Sequence, residues 1–93
     1  MAYQWDPEKA EINFRKHGVS FVEASTVFAD PLAGSFHDPD HSDEEDRFLT
    51  VGRSASDRII IVSHTYRGDN VRIISARPAA PKEVRAHEEN GQS

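Results

Sequence analysis

The sequence predicts an α+β domain in the order β-α-α-β-β-β-β-α, an antiparallel sheet with helices packed on one face. Three observations carry this: two helix-start signals close together before residue 31, three β-rich runs separated by turn residues between 47 and 77, and an acidic stretch between these two halves. Tyr3-Gln4-Trp5 reads as a short opening strand. Asp6 then caps a first helix with Pro7 at its first position and Glu8 in its first turn, and this helix runs to about His17, where Gly18 stops it. Ser20-Phe21-Val22-Glu23 is a capping box that starts a second helix at once. Its Phe21, Ala24, Ser25 and Phe28 share one face, and Asp30-Pro31 ends it. A short strand over 32–36 follows, then an exposed loop over 38–46 with six acids in nine residues. The three β-rich runs are predicted as strands over 47–53, 58–66 and 70–77, joined by turns at 54–57 and at Gly68-Asp69. Pro78 ends the last strand, a C-terminal helix spans about 81–89, and Asn90 to Ser93 is expected to fray.

The 93 residues make one domain, 1–93, with an ordered core of about 3–89. No apolar run approaches the roughly 20 residues of a membrane span, the N-terminus has neither a basic region nor an apolar stretch, and no secretory signal is expected. Absence of cysteine excludes a disulfide framework, a thiolate nucleophile and cysteine–zinc sites. A cytoplasmic protein without a cofactor is the expectation. The net charge of −5 conceals an asymmetry. Residues 1–46 carry 3 basic and 11 acidic side chains, whereas 47–77 carries 6 basic and 2 acidic, and all six cations are arginine. A guanidinium is a planar fork that fits phosphate, so Arg47, Arg53, Arg58, Arg67, Arg72 and Arg77 suggest phosphate contacts; ion pairs with the acids of the first half are the plain alternative.

The turns suggest a strand register. A four-residue turn sets Arg53 opposite Arg58, Val51 opposite Ile60, Leu49 opposite Val62 and Arg47 opposite His64; the Gly68-Asp69 turn sets Tyr66 opposite Val71 and Ile60 opposite Arg77. One face then carries Phe48, Thr50, Ile59, Ile61, Ser63, Ile74 and Ala76 under the helices, with Arg72 at its margin. The other carries Arg47, Arg53, Arg58, His64, Tyr66, Ser75 and Arg77 around aliphatic side chains that the last helix or another protein must cover. A slip of one residue would move a strand's side chains to the opposite face.

Arginines beside a histidine, with no carboxylate cluster, suit phosphodiester cleavage without a metal, because RNA supplies its own 2′-hydroxyl nucleophile. Arginine stabilises charge but does not shuttle protons; imidazole changes charge near neutrality. His64 is therefore the acid/base candidate. Arg77, with Arg53 or Arg58 nearby, is the phosphate clamp, Arg47 opposite His64 completes the catalytic set, and Tyr66 suits base stacking or donation of its hydroxyl. Arg72 and Lys16 join the RNA-binding set, although the helix dipole is reason enough for Lys16 and His17 in a last turn. His37-Asp38-Pro39-Asp40-His41 resembles a metal cluster but lacks EF-hand spacing and reads as a solvated loop. P-loop, dinucleotide, nucleophile-elbow and DNA-reading motifs are absent.

Trp5-Asp6-Pro7-Glu8-Lys9-Ala10, Asn13, Lys16-His17-Gly18-Val19-Ser20-Phe21 and Phe28-Ala29-Asp30-Pro31 resemble the BrnT toxin family, and Arg47-Phe48-Leu49-Thr50-Val51-Gly52 and Arg72-Ile73-Ile74-Ser75-Ala76-Arg77-Pro78 continue the likeness, which covers about residues 3–89. The resemblance implies a RelE-like ribonuclease toxin of a type II toxin–antitoxin pair. Such a toxin cuts RNA, inhibits translation, and is held by a BrnA-type antitoxin through which alone DNA is involved. It also implies that Arg77 and the arginines of the preceding strands form the active site. The family resemblance leads one to expect an aromatic, often tyrosine, in the last helix where His87 stands; His87 then counts among the RNA-binding residues, and the replacement either moves proton transfer to it or leaves this copy weak. A catalytically inactive relative acting as a protein-interaction module is the alternative.

Overall fold

The computed structural model describes residues 2–41 and 45–92. Its elements are β1 (Tyr3–Gln4), α1 (Pro7–His17), α2 (Phe21–Thr26) with a 3-10 turn over Val27–Ala29, β2 (Gly34–Asp38) with a 3-10 turn over Pro39–His41, β3 (Arg47–Arg53), β4 (Ile59–Arg67), β5 (Asn70–Pro78) and α3 (Pro81–Gln92). The predicted element order holds. β2 begins two residues later than expected and takes in Asp38, the first residue of the expected acidic loop. Residues 42–44 of that loop lie outside the described residues, as does Ser93 at the expected frayed end.

Local chemistry accounts for the helix ends. Asp6 accepts the Glu8 amide at 2.9 Å, Ser20 accepts that of Glu23 at 3.0 Å, and Gly18 closes α1 at φ 69°, which glycine adopts without a steric penalty. α1 and α2 cover one face of a five-stranded sheet of order β1-β5-β4-β3-β2. The sheet is mixed rather than purely antiparallel, because β1 pairs parallel with β5 at Tyr3–Val71 and Gln4–Arg72. Val19, Phe21, Ala24 and Val27 pack on Ile60, Val62, Val71, Ile73 and Ala76, with Tyr3, Trp5 and Phe28 closing the margin. Gly52 of β3 lies so near the 3-10 turn that a Cβ there would sit 2.9 Å from Val27 Cγ1, so only glycine lets the two backbones approach.

Two details of register reassign the faces. Between β3 and β4 the pairs are Phe48–His64, Thr50–Val62, Gly52–Ile60 and Arg53–Ile59, one residue away from the expected register. The cause is the turn. Ser54 donates to the Arg58 carbonyl at 2.8 Å, and Asp57 takes φ 64°, so the loop holds one more residue than a four-residue turn allows. Between β4 and β5 the expected pairs hold from Arg67–Asn70 to His64–Ile73; a bulge then shifts the ladder to Ser63–Ser75, Val62–Ala76 and Ile61–Arg77. β4 is thereby turned over relative to the prediction. Ile60, Val62 and His64 face the helices, while Ile61 and Ser63 face the other side with Leu49, Ser75 and Arg77. The bulge lets β5 send Val71, Ile73 and Ala76 inward and still present Arg77 outward.

Candidate active site

The outer face of the sheet carries two adjoining grooves, each of about 290 Å³, that share Leu49, Ile61 and Arg77. One is polar. Arg47 from β3, Ser63 from β4 and Ser75 and Arg77 from β5 line it together with His17 from the end of α1, and with Asp38 and His41 from the end of β2 and the turn after it. The other is mainly apolar, with Leu32, Phe36, Val51 and Ile61 beneath Glu83, Ala86 and His87 of α3. Thus α3, unlike α1 and α2, lies on the outer side and covers part of the aliphatic surface there.

Asn13 builds the polar groove from below. β1 pairs with β5 only at Val71 and Arg72, which leaves the β5 edge beyond the bulge without a neighbouring strand. The Asn13 amide takes that place: it accepts from the Ala76 amide at 3.0 Å and donates to the Ala76 carbonyl at 2.9 Å and to the Val19 carbonyl at 3.0 Å. The side chain is buried and its amide oxygen and nitrogen are both satisfied, so α1 is fixed against β5 beside Ser75 and Arg77. This is what brings His17 to the groove.

Arg77 is half-exposed and grips Glu83 through two parallel hydrogen bonds, Nη1–Oε1 at 2.9 Å and Nη2–Oε2 at 3.0 Å. Glu83 also accepts from the Ala80 amide at 2.8 Å, the return half of a capping box at the start of α3. The Arg77 guanidinium holds the Glu83 carboxyl down to about 2, helped by the Ala80 amide. Arg47 stands across from Asp38 in the β2–β3 ladder.

His64 is not in the groove. It is fully buried on the helix side, with Nε2 2.7 Å from Thr50 Oγ1 and its ring between Phe28 (4.9 Å), Tyr66 (5.4 Å) and Phe48 (6.1 Å). Nδ1 has no hydrogen-bond partner among the described residues, and burial lowers the imidazole pKa to about 4. The expected pairing of His64 with Arg47 does not form, because the extra turn residue rotated β4. Tyr66 shares the inner parity and is half-exposed at the sheet end against Phe48.

Arg58 does not join the outer face either. Its Nε donates to Glu23 Oε2 at 3.0 Å and Nη2 to the Gly18 carbonyl at 3.0 Å, while Ser54 Oγ donates to the same carboxylate at 2.7 Å; Glu23 is held below the usual carboxylate range by Arg58. It ties the β3–β4 turn to α2, the ion-pair alternative set out for the arginines. Arg53, next to this turn, is paired with Asp57 at 3.0 Å. Arg72 pairs in register with Thr65, and Lys16 is exposed next to His17. His87 lies in the apolar groove, its Nε2 3.5 Å from Asp30 Oδ2. In the sequence the helix dipole is reason enough for His17, and His41 reads as part of a solvated loop. The turn geometry and the Asn13 bridge that bring both to Arg47 and Arg77 have no periodic signal.

Residues 5–83 match the family model described as ribonuclease toxin, BrnT, of type II toxin–antitoxin system. The chain belongs to the BrnT family. It is thus a ribonuclease toxin of a type II toxin–antitoxin system, a class in which an antitoxin protein is the partner. The crystal structure of the Brucella abortus ribonuclease toxin BrnT superposes with a TM-score of 0.63 over 86% of this chain and 99% of that one, at 24% identity, and shares the BrnT fold. No curated protein matches the chain. Among the described residues, no helix is long and apolar enough to cross a membrane, and no group of three or more histidines or carboxylates is placed to hold a metal ion.

Proposed function

We propose that this BrnT-family chain is a cytoplasmic endoribonuclease that cleaves RNA without a metal ion, thereby inhibiting translation, and that a BrnA-type antitoxin neutralises it. The observation that carries the reading is the meeting of Arg47 and Arg77, from strands separated by β4, in one outer groove with hydroxyls and imidazoles. Attack by the 2′-hydroxyl crowds negative charge onto phosphorus, and two guanidiniums in a walled groove stabilise that charge in place of a cation. The RNA strand extends along the outer face, towards Arg53 at one end of the strands and Arg72 at the other, with Lys16 next to His17. His64, Arg58 and Tyr66 stay outside this assignment.

Purified protein is expected to cut RNA, free or ribosome-bound, in the presence of EDTA, and Arg77→Ala to lower cutting by roughly 10²–10³ while the fold persists. Intact RNA with a folded wild-type chain refutes the reading. The two-pronged Glu83 grip on Arg77 favours a second reading, an inactive relative whose outer face only binds its partner. Expression in bacteria separates them: arrest of growth by the wild type and not by Arg77→Ala supports the nuclease, and harmless wild type that still binds antitoxin supports the module.

A further inference from the structure

The five histidines are placed very differently. His64 is sealed in the core, His37 faces Asp46 at 3.1 Å, and His87 of α3 sits by Asp30, whereas His17 and His41 line the groove of Arg47 and Arg77. Resting on the nuclease reading above, we propose that His17 and His41 are the base and the acid of RNA cleavage, and that Asp38 is the positioning residue for His41.

Cleavage needs one proton removed from the 2′-hydroxyl and one delivered to the departing 5′-oxygen, and arginine supplies neither. Two imidazoles in one groove can divide the work, one as base and one as acid. His17 is half-buried at the end of α1, where the Gly18 turn and the Asn13 bridge to Ala76 hold it beside Ser75. His41 Nδ1 lies 2.9 Å from Asp38 Oδ2. An ionised carboxylate only accepts, so Nδ1 carries the hydrogen and Nε2 is the ring nitrogen left for substrate. An imidazole oriented by a carboxylate is a recurring arrangement in sites that transfer protons.

The step balances as follows. His17 takes the proton of the 2′-hydroxyl as the 2′-O–P bond forms. Arg47 and Arg77 hold the charge of the five-coordinate phosphorus. The P–O5′ bond breaks, and His41, which enters the step as the imidazolium with a hydrogen on each ring nitrogen, gives its Nε2 proton to the 5′-oxygen and is left neutral. The products are a 2′,3′-cyclic phosphate and a 5′-hydroxyl, and exchange with water resets both rings. The charged groups facing the pair are Asp38 from β2, Arg47 from β3 and Arg77 from β5.

The test is the pH profile of kcat/KM on whichever RNA substrate, free or ribosome-bound, the wild type cuts in EDTA. A bell is expected, with the acidic limb from the base and the alkaline limb from the acid. His17→Ala and His41→Ala are each expected to lose roughly 10²–10⁴-fold, the first losing the acidic limb and the second the alkaline limb. Asp38→Asn is expected to weaken cleavage and keep both limbs. His17→Gln, which keeps a polar side chain, serves if His17→Ala does not fold, and circular dichroism confirms each fold. Active wild type with folded variants that keep its rate, or lose rate with both limbs intact, overturns the assignment and leaves the nuclease reading standing. Wild type that cuts no RNA overturns both.

Discussion

The two faces of the sheet carry similar aliphatic side chains and differ in what covers them. Inside, Ile60, Val62, Val71 and Ile73 lie under α1 and α2 and are essentially without solvent. Outside, Leu49, Val51 and Ile61 form the floor of two grooves, and α3 roofs only one of them. The polar groups differ in the same sense. His64 is the inner histidine, stripped of water and held neutral; Arg47, Arg77, His17 and His41 remain reachable. One face is spent on stability and the other kept for chemistry, and substitutions should separate the two.

The largest effect is expected inside. Ile60→Ala leaves a hole in a close-packed layer and should cost roughly 2–5 kcal/mol, a fall of about 10 °C or more in Tm. Thermal unfolding checks it, and the comparison fails if Leu49→Ala on the outer face costs as much. Next, Arg77→Ala and Arg47→Ala should each lower the cleavage rate by roughly 10²–10³. For the half-exposed Arg77 the stability change should stay under about 1 kcal/mol. RNA cleavage and melting of the same preparations read this together.

His64 sharpens the comparison through pH. Its folded pKa of about 4 lies below the ordinary 6.5, so the unfolded chain binds the extra proton first as pH falls. Stability is therefore full above pH 6.5 and drains away between 6.5 and about 4, by on the order of 3 kcal/mol. Denaturant melts across this range measure it, and His64→Gln should flatten that interval. Glu83, whose carboxyl is held near 2, loses its contribution only at lower pH, from about 4.5 downward. The smallest effect is Glu83→Gln: with the carboxylate charge gone from Arg77, KM for RNA should fall a few-fold at low salt, while Tm changes little.

Much of this was legible in the residues. Asp6-Pro7, Gly18 and the Ser20–Glu23 box marked the helices, because caps are local chemistry, and the strand boundaries fell within about two residues for the same reason. Arg47 and Arg77 were placed on the outer face in advance, and they are there. The imidazole was not. Whether a turn closes over four residues or five depends on Asp57 accepting a left-handed conformation, and that single choice sent His64 inward with all of β4. The bulge between Ser63 and His64 then corrected the far end of β5, so Ser75 and Arg77 came out as expected for a reason that no alternating pattern shows. Long-range contacts such as Asn13 with Ala76, 63 positions apart, lie beyond any local signal.

That last bridge has a consequence for how the molecule behaves in a crowd. An uncovered strand margin offers its amides and carbonyls as a template for neighbouring chains to add on and polymerise. Along β5, β1 occupies the first part of the margin, and a single carboxamide occupies both backbone groups of Ala76. Growth of the sheet from that side is blocked before a second molecule arrives.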